Sequence, residues 1–122
     1  MYYGMSAESL QKLYLKGSLK NQDDGFEFQL KNLIDSGSIS GITKLTVDGE
    51  DKLLDGVILT IGEKTLAASE ISWSASLYIY YGATLTIFIP GALQPGEHTV
   101  LLQVNAPELG QITLPVTDTI EA

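Results

Sequence analysis

Short runs of alternating apolar and polar residues, cut by Gly, Pro, Asn and Asp, recur from about Leu10 to Asp118. Alternation with period two sends successive side chains to opposite faces of a strand, so each run reads as a strand with one apolar face. No long helix-period segment separates the runs, which argues against a parallel βαβ arrangement. Runs spaced about 8–12 residues apart predict an all-β chain, a single antiparallel β-sandwich of about eight or nine strands, immunoglobulin-like or jelly-roll.

The clearest register lies near the start. Leu13, Leu15 and Leu19 alternate with polar neighbours, and Phe26, Phe28 and Leu30 alternate with Glu27, Gln29 and Lys31. The turn Asn21–Gly25 joins them into a hairpin, with Gly25 as the residue able to take a positive φ. Ser36-Gly37-Ser38 and Ser40-Gly41 read as loop. Leu45 and Val47 form a short strand ending at the turn signal Asp48-Gly49. Val57, Leu59 and Ile61 point one way before a tight turn at Gly62-Glu63, and the segment 67–72 has the look of a helical turn. Further strands follow at Leu77–Tyr81, Thr84–Ile89, from Val100 to Val104 and from Gln111 to Thr117. Pro115 inside the last run marks it as an edge or bulged strand, because proline has no N–H to give to a ladder. Residues 1–12 are read as an N-terminal extension or a helical turn capped by Ser6 or Ser9, and residues 13–122 as the sandwich. Met5 is an alternative start.

Composition narrows the function more than it identifies it. The chain has 122 residues, enough for one domain that buries a core without disulfides. It has no cysteine, which removes thiolate nucleophiles and cysteine metal sites and suits a reducing cytoplasm. The net charge is −8, the seven cationic side chains are all lysines scattered singly, and there is no arginine. Such a field repels nucleic acid and anionic lipid. No apolar stretch reaches the roughly 18–20 residues of a membrane span, and no signal-peptide pattern opens the chain. The expectation is a soluble, acidic, cytoplasmic domain with no nucleic-acid or membrane partner.

Catalytic and metal sites are poorly supported. His98 is the only histidine. It sits where the turn Gln94-Pro95-Gly96 feeds a strand, and it reads as a side chain hydrogen-bonding at the sandwich edge, since base catalysis needs an orienting partner and a nucleophile. Asp48, Glu50, Asp51 and Asp55 crowd one loop and Asp23 and Asp24 another, but turn chemistry accounts for them and the spacing of a calcium loop is missing. No nucleophile elbow, phosphate loop or dinucleotide fingerprint occurs. The expectation is no catalytic residue, no metal and no cofactor in this chain.

The aromatic run is the best interaction candidate. Trp73 precedes Leu77-Tyr78-Ile79-Tyr80-Tyr81. On a strand, Tyr78 and Tyr80 share one face and Leu77, Ile79 and Tyr81 the other, so the strand is apolar on both sides. Either this chain's own loops cover it, or a partner does, Tyr and Trp being enriched at interfaces. A sugar-stacking platform is the remaining reading.

The order of motifs also carries a resemblance. Gly25-Phe26-Glu27-Phe28-Gln29-Leu30, Val47-Asp48-Gly49-Glu50, the strand Val57–Ile61, Trp73 and Leu93-x-Pro95-Gly96-x-His98-x-Val100 together resemble the small β-subunit domain of bacterial C-glycoside deglycosidases, over roughly residues 13–106. The resemblance implies a β-sandwich that associates with a larger barrel-type catalytic subunit. That subunit carries the metal and the acid–base residues, so none is carried over to this chain. The segment after Pro107 departs from the family pattern.

These readings converge on a non-catalytic accessory or structural domain that binds a protein partner or a second copy of itself. The alternative is a small-molecule or carbohydrate-binding module. Trp73, Leu77, Tyr78, Ile79, Tyr80 and Tyr81 are the interface candidates.

Overall fold

The alternation seen in the sequence becomes two facing sheets. The computed structural model describes residues 12–107 and 110–121. Eleven strands occur among them: β1 (Lys20–Gln22), β2 (Gly25–Lys31), β3 (Gly37–Ile39), β4 (Gly41–Val47), β5 (Glu50–Asp51), β6 (Ile58–Ile61), β7 (Lys64–Ala67), β8 (Leu77–Ile79), β9 (Thr84–Pro90), β10 (Gly96–Ala106) and β11 (Gly110–Ile120). A 3₁₀ turn spans Ala68–Glu70, where a helical turn was expected. One sheet has the order β1-β2-β9-β6-β7, the second β11-β10-β4-β5, and β3 and β8 pair as a small third sheet. Every pairing between these strands is antiparallel.

Period two explains the core. Phe26, Phe28 and Leu30 of β2 and Leu85, Ile87 and Ile89 of β9 point inward from the first large sheet. Val100, Leu102 and Val104 of β10 and Leu114 and Val116 of β11 meet them from the second, and all join one apolar cluster. This is the antiparallel sandwich expected from the sequence, with eleven strands among the described residues in place of the eight or nine expected. Burial of these side chains drives it, at roughly 1.5–3 kcal/mol for each fully buried Leu, Ile, Val or Phe.

Four departures from the sequence reading have physical causes. Leu13–Leu19 is not a strand: Tyr14 makes an isolated bridge to Leu30, the chain turns at Gly17, and the hairpin partner β1 covers only Lys20–Gln22. In that hairpin the positive φ belongs to Asp23 (54°), not Gly25. Gly25 is needed for space, since a Cβ there would fall on the Ile89 carbonyl oxygen. The Ser36–Gly41 stretch forms β3 and opens β4. Finally, the β4–β10 register shifts between Gln103 and Val104, leaving Thr43 opposite no partner. That bulge lets Ile42 and Leu45 both face the core, and it hides β4 from a strict alternation count. The Ser6–Leu10 turn and the Met5 start lie outside the described residues.

Pro115 stands opposite Leu101 on β11, the outer strand of its sheet. An outer strand has one ladder edge unpaired, so a missing N–H is tolerated there. No helix among the described residues is long and apolar enough to cross a membrane.

Candidate functional site

The aromatic segment is built by β8 and the turns on either side of it. Before β8 the chain closes a tight bridge between Ser72 and Ala75, which puts Trp73 at a turn tip. After β8 the Ala83 N–H donates to the Tyr80 carbonyl at 3.0 Å, and Gly82 takes φ 85° as the third residue of that turn. The Tyr81 N–H donates to Ser36 Oγ at 2.9 Å, tying the turn to the residue just before β3. Trp73 is 77% exposed, Tyr78 54%, Tyr80 55% and Tyr81 61%, whereas Leu77 is 1% exposed. Ile79 is partly buried against the core. The structure thus divides the six residues singled out by the sequence: four aromatic side chains lie at the surface, and Leu77 is a core residue with no surface to offer. The Tyr78 and Tyr80 ring centroids are 6.1 Å apart and their planes are tilted by 45°, so the pair does not make a flat stacking platform.

His98 lies elsewhere, near the start of β10. The Asp48-Gly49 turn between β4 and β5 has φ 53° and 86°, the geometry of a two-residue type I′ hairpin loop. That turn aims the Asp48 carboxylate at β10. Its Oδ1 accepts the Thr99 N–H at 2.8 Å, and the Asp48 N–H donates to the Thr99 carbonyl at 2.7 Å. Its Oδ2 is 2.6 Å from His98 Nδ1, while His98 Nε2 is 2.7 Å from the Gln94 carbonyl oxygen. The hydrogen bond to Asp48, and then that to Gln94, raise the His98 pKa above 6.5. The hydrogen bonds from His98 and then from the Thr99 amide hold Asp48 below 3.8. Both ring nitrogens are engaged within the fold, and in the protonated form that these two acceptors favour the ring donates from each of them. The strand-edge hydrogen-bonding role read from the sequence accounts for every polar atom of this ring.

A second polar pair lies beside the first, where His98 of β10 stands opposite Asp118 of β11. Asp118 Oδ2 accepts from the Tyr14 hydroxyl and from the Gly17 N–H, each at 2.7 Å, and the Tyr14 oxygen accepts the Leu19 N–H at 2.9 Å. Burial, and then the Asp118 hydrogen bond, push the Tyr14 hydroxyl above 10.0. The Tyr14 hydroxyl and the Gly17 and Thr119 amides hold Asp118 below 3.8. Sequence reasoning missed this pair, since nothing local links residues 104 positions apart. Among the described residues no three His, Asp or Glu side chains are placed to hold a metal ion.

These features define a small antiparallel β-sandwich domain with an exposed aromatic surface and structural polar pairs at one end. Residues 9–121 match the family model of the hydroxymethylglutaryl-CoA reductase N-terminal domain, and the chain belongs to that family. The match is to the N-terminal domain of that reductase. No curated protein matches the chain. The family match overturns the resemblance to the small subunit of C-glycoside deglycosidases. The motifs behind that resemblance are generic sandwich chemistry: Asp48-Gly49 is a hairpin turn, Pro95-Gly96 leads into β10, and Phe26-x-Phe28 is core alternation. The barrel-type catalytic subunit expected as a partner rested on that resemblance and loses its basis with it.

Proposed function

We propose that this chain is a non-catalytic accessory domain of hydroxymethylglutaryl-CoA reductase type, and that it docks on a protein partner through Trp73, Tyr78, Tyr80 and Tyr81. One observation carries the reading: of the seven large apolar side chains exposed among the described residues, the four aromatic ones all fall within residues 73–81, while Leu33, Leu53 and Ile58 stand singly elsewhere. Clustered exposed aromatics mark interaction surfaces, and Tyr and Trp supply much of the binding energy where they are desolvated. The partner favoured by family membership is the remainder of a hydroxymethylglutaryl-CoA reductase, with a second copy of this chain as the other outcome. A cysteine-free, acidic chain suits a reducing cytoplasmic setting.

The test combines light scattering of the chain, alone and mixed with a reductase catalytic portion, with the paired substitution Tyr78→Ser/Tyr80→Ser. A complex that the double variant loses, at unchanged thermal midpoint, supports the reading. A monomer that forms no complex overturns the docking surface. Turnover of hydroxymethylglutaryl-CoA by the isolated chain would overturn the non-catalytic assignment.

A further inference from the structure

At the end of β10 remote from His98, the two large sheets do not close on each other. A cavity of about 220 Å³ opens there, walled by Leu30 of β2, Leu85 of β9, Val104 of β10 and Leu114 of β11, with Ile39 of β3 and Ile79 of β8 on its outer side. The space exists because β10 ends on Ala106, whose methyl group lies where Val100, Leu102 and Val104 fill the core further along the strand. Charge and polarity are confined to Lys31, Asn32, Asp35, Ser36 and Ser38.

The cavity wall is held in place by its own hydrogen bonds. The Asn32 amide donates to the Asp35 carbonyl at 2.8 Å and the Ile79 carbonyl at 3.0 Å, and its oxygen accepts the Ile34 N–H at 3.1 Å. The Asn32 backbone exchanges bonds with Gly82 and Ala83 at 2.7 and 2.9 Å. Asn32 is therefore a clamp between the β2–β3 connection and the β8–β9 turn, and the cavity does not depend on a ligand to form. Preformed cavities bind with less ordering cost than ones that must be assembled.

We propose that this cavity binds a small neutral amphipathic molecule: a compact hydrocarbon body of one ring or a short branched chain, with a hydroxyl-type end left at the polar residues. An apolar cavity of about 150 Å³ accepts benzene, so a six-membered ring bearing one polar substituent fits. Drug-sized ligands need roughly 300–1,000 Å³ and do not. An anionic end is disfavoured by the net charge of −8 and the absence of arginine. A cationic end meets Lys31 as well as Asp35. A charged end also loses hydration against apolar walls. The inference is independent of the docking surface, whose tyrosines are not among the cavity's lining residues.

Three probes share one body and differ in charge: cyclohexanol, cyclohexanecarboxylate and cyclohexylammonium, each titrated into the methyl-labelled chain and followed by NMR. The expected result is saturable movement of the Ile39, Ile79, Val104, Ile112 and Leu114 methyls with cyclohexanol, still methyls at Val47 and Val57, and at least tenfold weaker binding of both ions. Ala106→Leu, which fills the cavity, should weaken cyclohexanol binding at least tenfold. Ile112→Phe serves the same purpose if Ala106→Leu loses native methyl dispersion. No saturable shift, an ion binding as tightly as the alcohol, or binding untouched by the filling variant would each overturn the proposal.

Discussion

His98 Nδ1 and Asp48 Oδ2 are 2.6 Å apart, and the other ring nitrogen of His98 lies 2.7 Å from the Gln94 carbonyl oxygen. A carbonyl oxygen and an ionised carboxylate can only accept, so the two contacts are both hydrogen bonds only when the ring is protonated and donates from each nitrogen, which is the form that the raised pKa favours. The pair joins the β4–β5 turn to β10 and to the loop before it. Its stabilising effect has a definite pH window. His98 binds its proton more tightly folded than unfolded, so its contribution is complete below pH 6.5 and is lost as pH rises through the raised folded value. Asp48 behaves oppositely: its contribution is complete above pH 3.8 and is lost as pH falls through the lowered folded value. Urea unfolding should therefore give a lower midpoint at pH 9 than at pH 6. His98→Gln should lower stability at pH 6 by about 1 kcal/mol, the pair being solvent-screened, and should flatten the change between the two pH values. An equally steep change in the variant would show that another group sets it.

Asp118 fastens the start of the described chain to its last strand. One carboxylate oxygen takes the Tyr14 hydroxyl and the Gly17 amide, and Tyr14 in turn takes the Leu19 amide. Tyr14→Phe keeps the ring, which packs 6.5 Å from Phe28, and removes only the hydroxyl. It leaves the Leu19 N–H without that acceptor and should cost about 1–2 kcal/mol in denaturant unfolding. Asp118→Ala should cost at least as much. The double variant should fall short of the sum of the two, because both remove the same hydrogen bond. Strict additivity would mean that the two residues act separately.

What was legible in the sequence follows from how far each feature reaches along the chain. Strands β2, β6, β9 and β10 each carry their own alternation, so Phe26, Leu59, Ile87 and Leu102 could be assigned to a core from their neighbours alone. The Asp48-Gly49 turn and the edge position of Pro115 were legible for the same local reason. Strand β4 was cut short because its bulge at Thr43 breaks the period. Strand β3 was missed because Gly37-Ser38 has the composition of a loop and finds its partners, Ile79 and Tyr78, only on the distant β8. The aromatic residues were found, but which of them would lie outside depended on burial that one strand cannot reveal: Leu77 and Tyr78 look alike in sequence and part company in the fold. The cavity had no local signature, since strands from all three sheets wall it.

Gly25 offers a steric test. Its Cα approaches β9 so closely that a Cβ would meet the Ile89 carbonyl oxygen and lie 2.5 Å from Phe88 Cζ. Backbone cannot yield as a flexible side chain can. Gly25→Ala should therefore destabilise by about 3 kcal/mol, at the upper end for overpacking. Gly41, at the start of β4, has nothing within 4 Å of such a Cβ and no positive φ. Gly41→Ala should raise stability by about 0.5 kcal/mol through a less flexible unfolded chain. Thermal melts of the two variants should move in opposite directions. Similar losses in both would mean that β2 and β9 are not in the register described.

Leu77 and Tyr78 are neighbours with opposite surroundings, which makes β8 the place to separate packing from docking. Leu77→Ala removes a side chain from the core and should cost about 2–5 kcal/mol. Tyr78→Ser changes an exposed residue and should shift stability by no more than about 0.5 kcal/mol. If the aromatic surface docks on a partner, the ordering reverses for association: Tyr78→Ser weakens the complex while the chain stays folded. Leu77→Ala, measured under conditions where it remains folded, leaves the complex nearly unchanged. Denaturant unfolding and light scattering on the same two variants read both properties. Loss of folding with Tyr78→Ser would place that ring in the core. Undiminished association by the folded Tyr78→Ser variant would remove Tyr78 from the interface and leave Trp73, Tyr80 and Tyr81 to account for it.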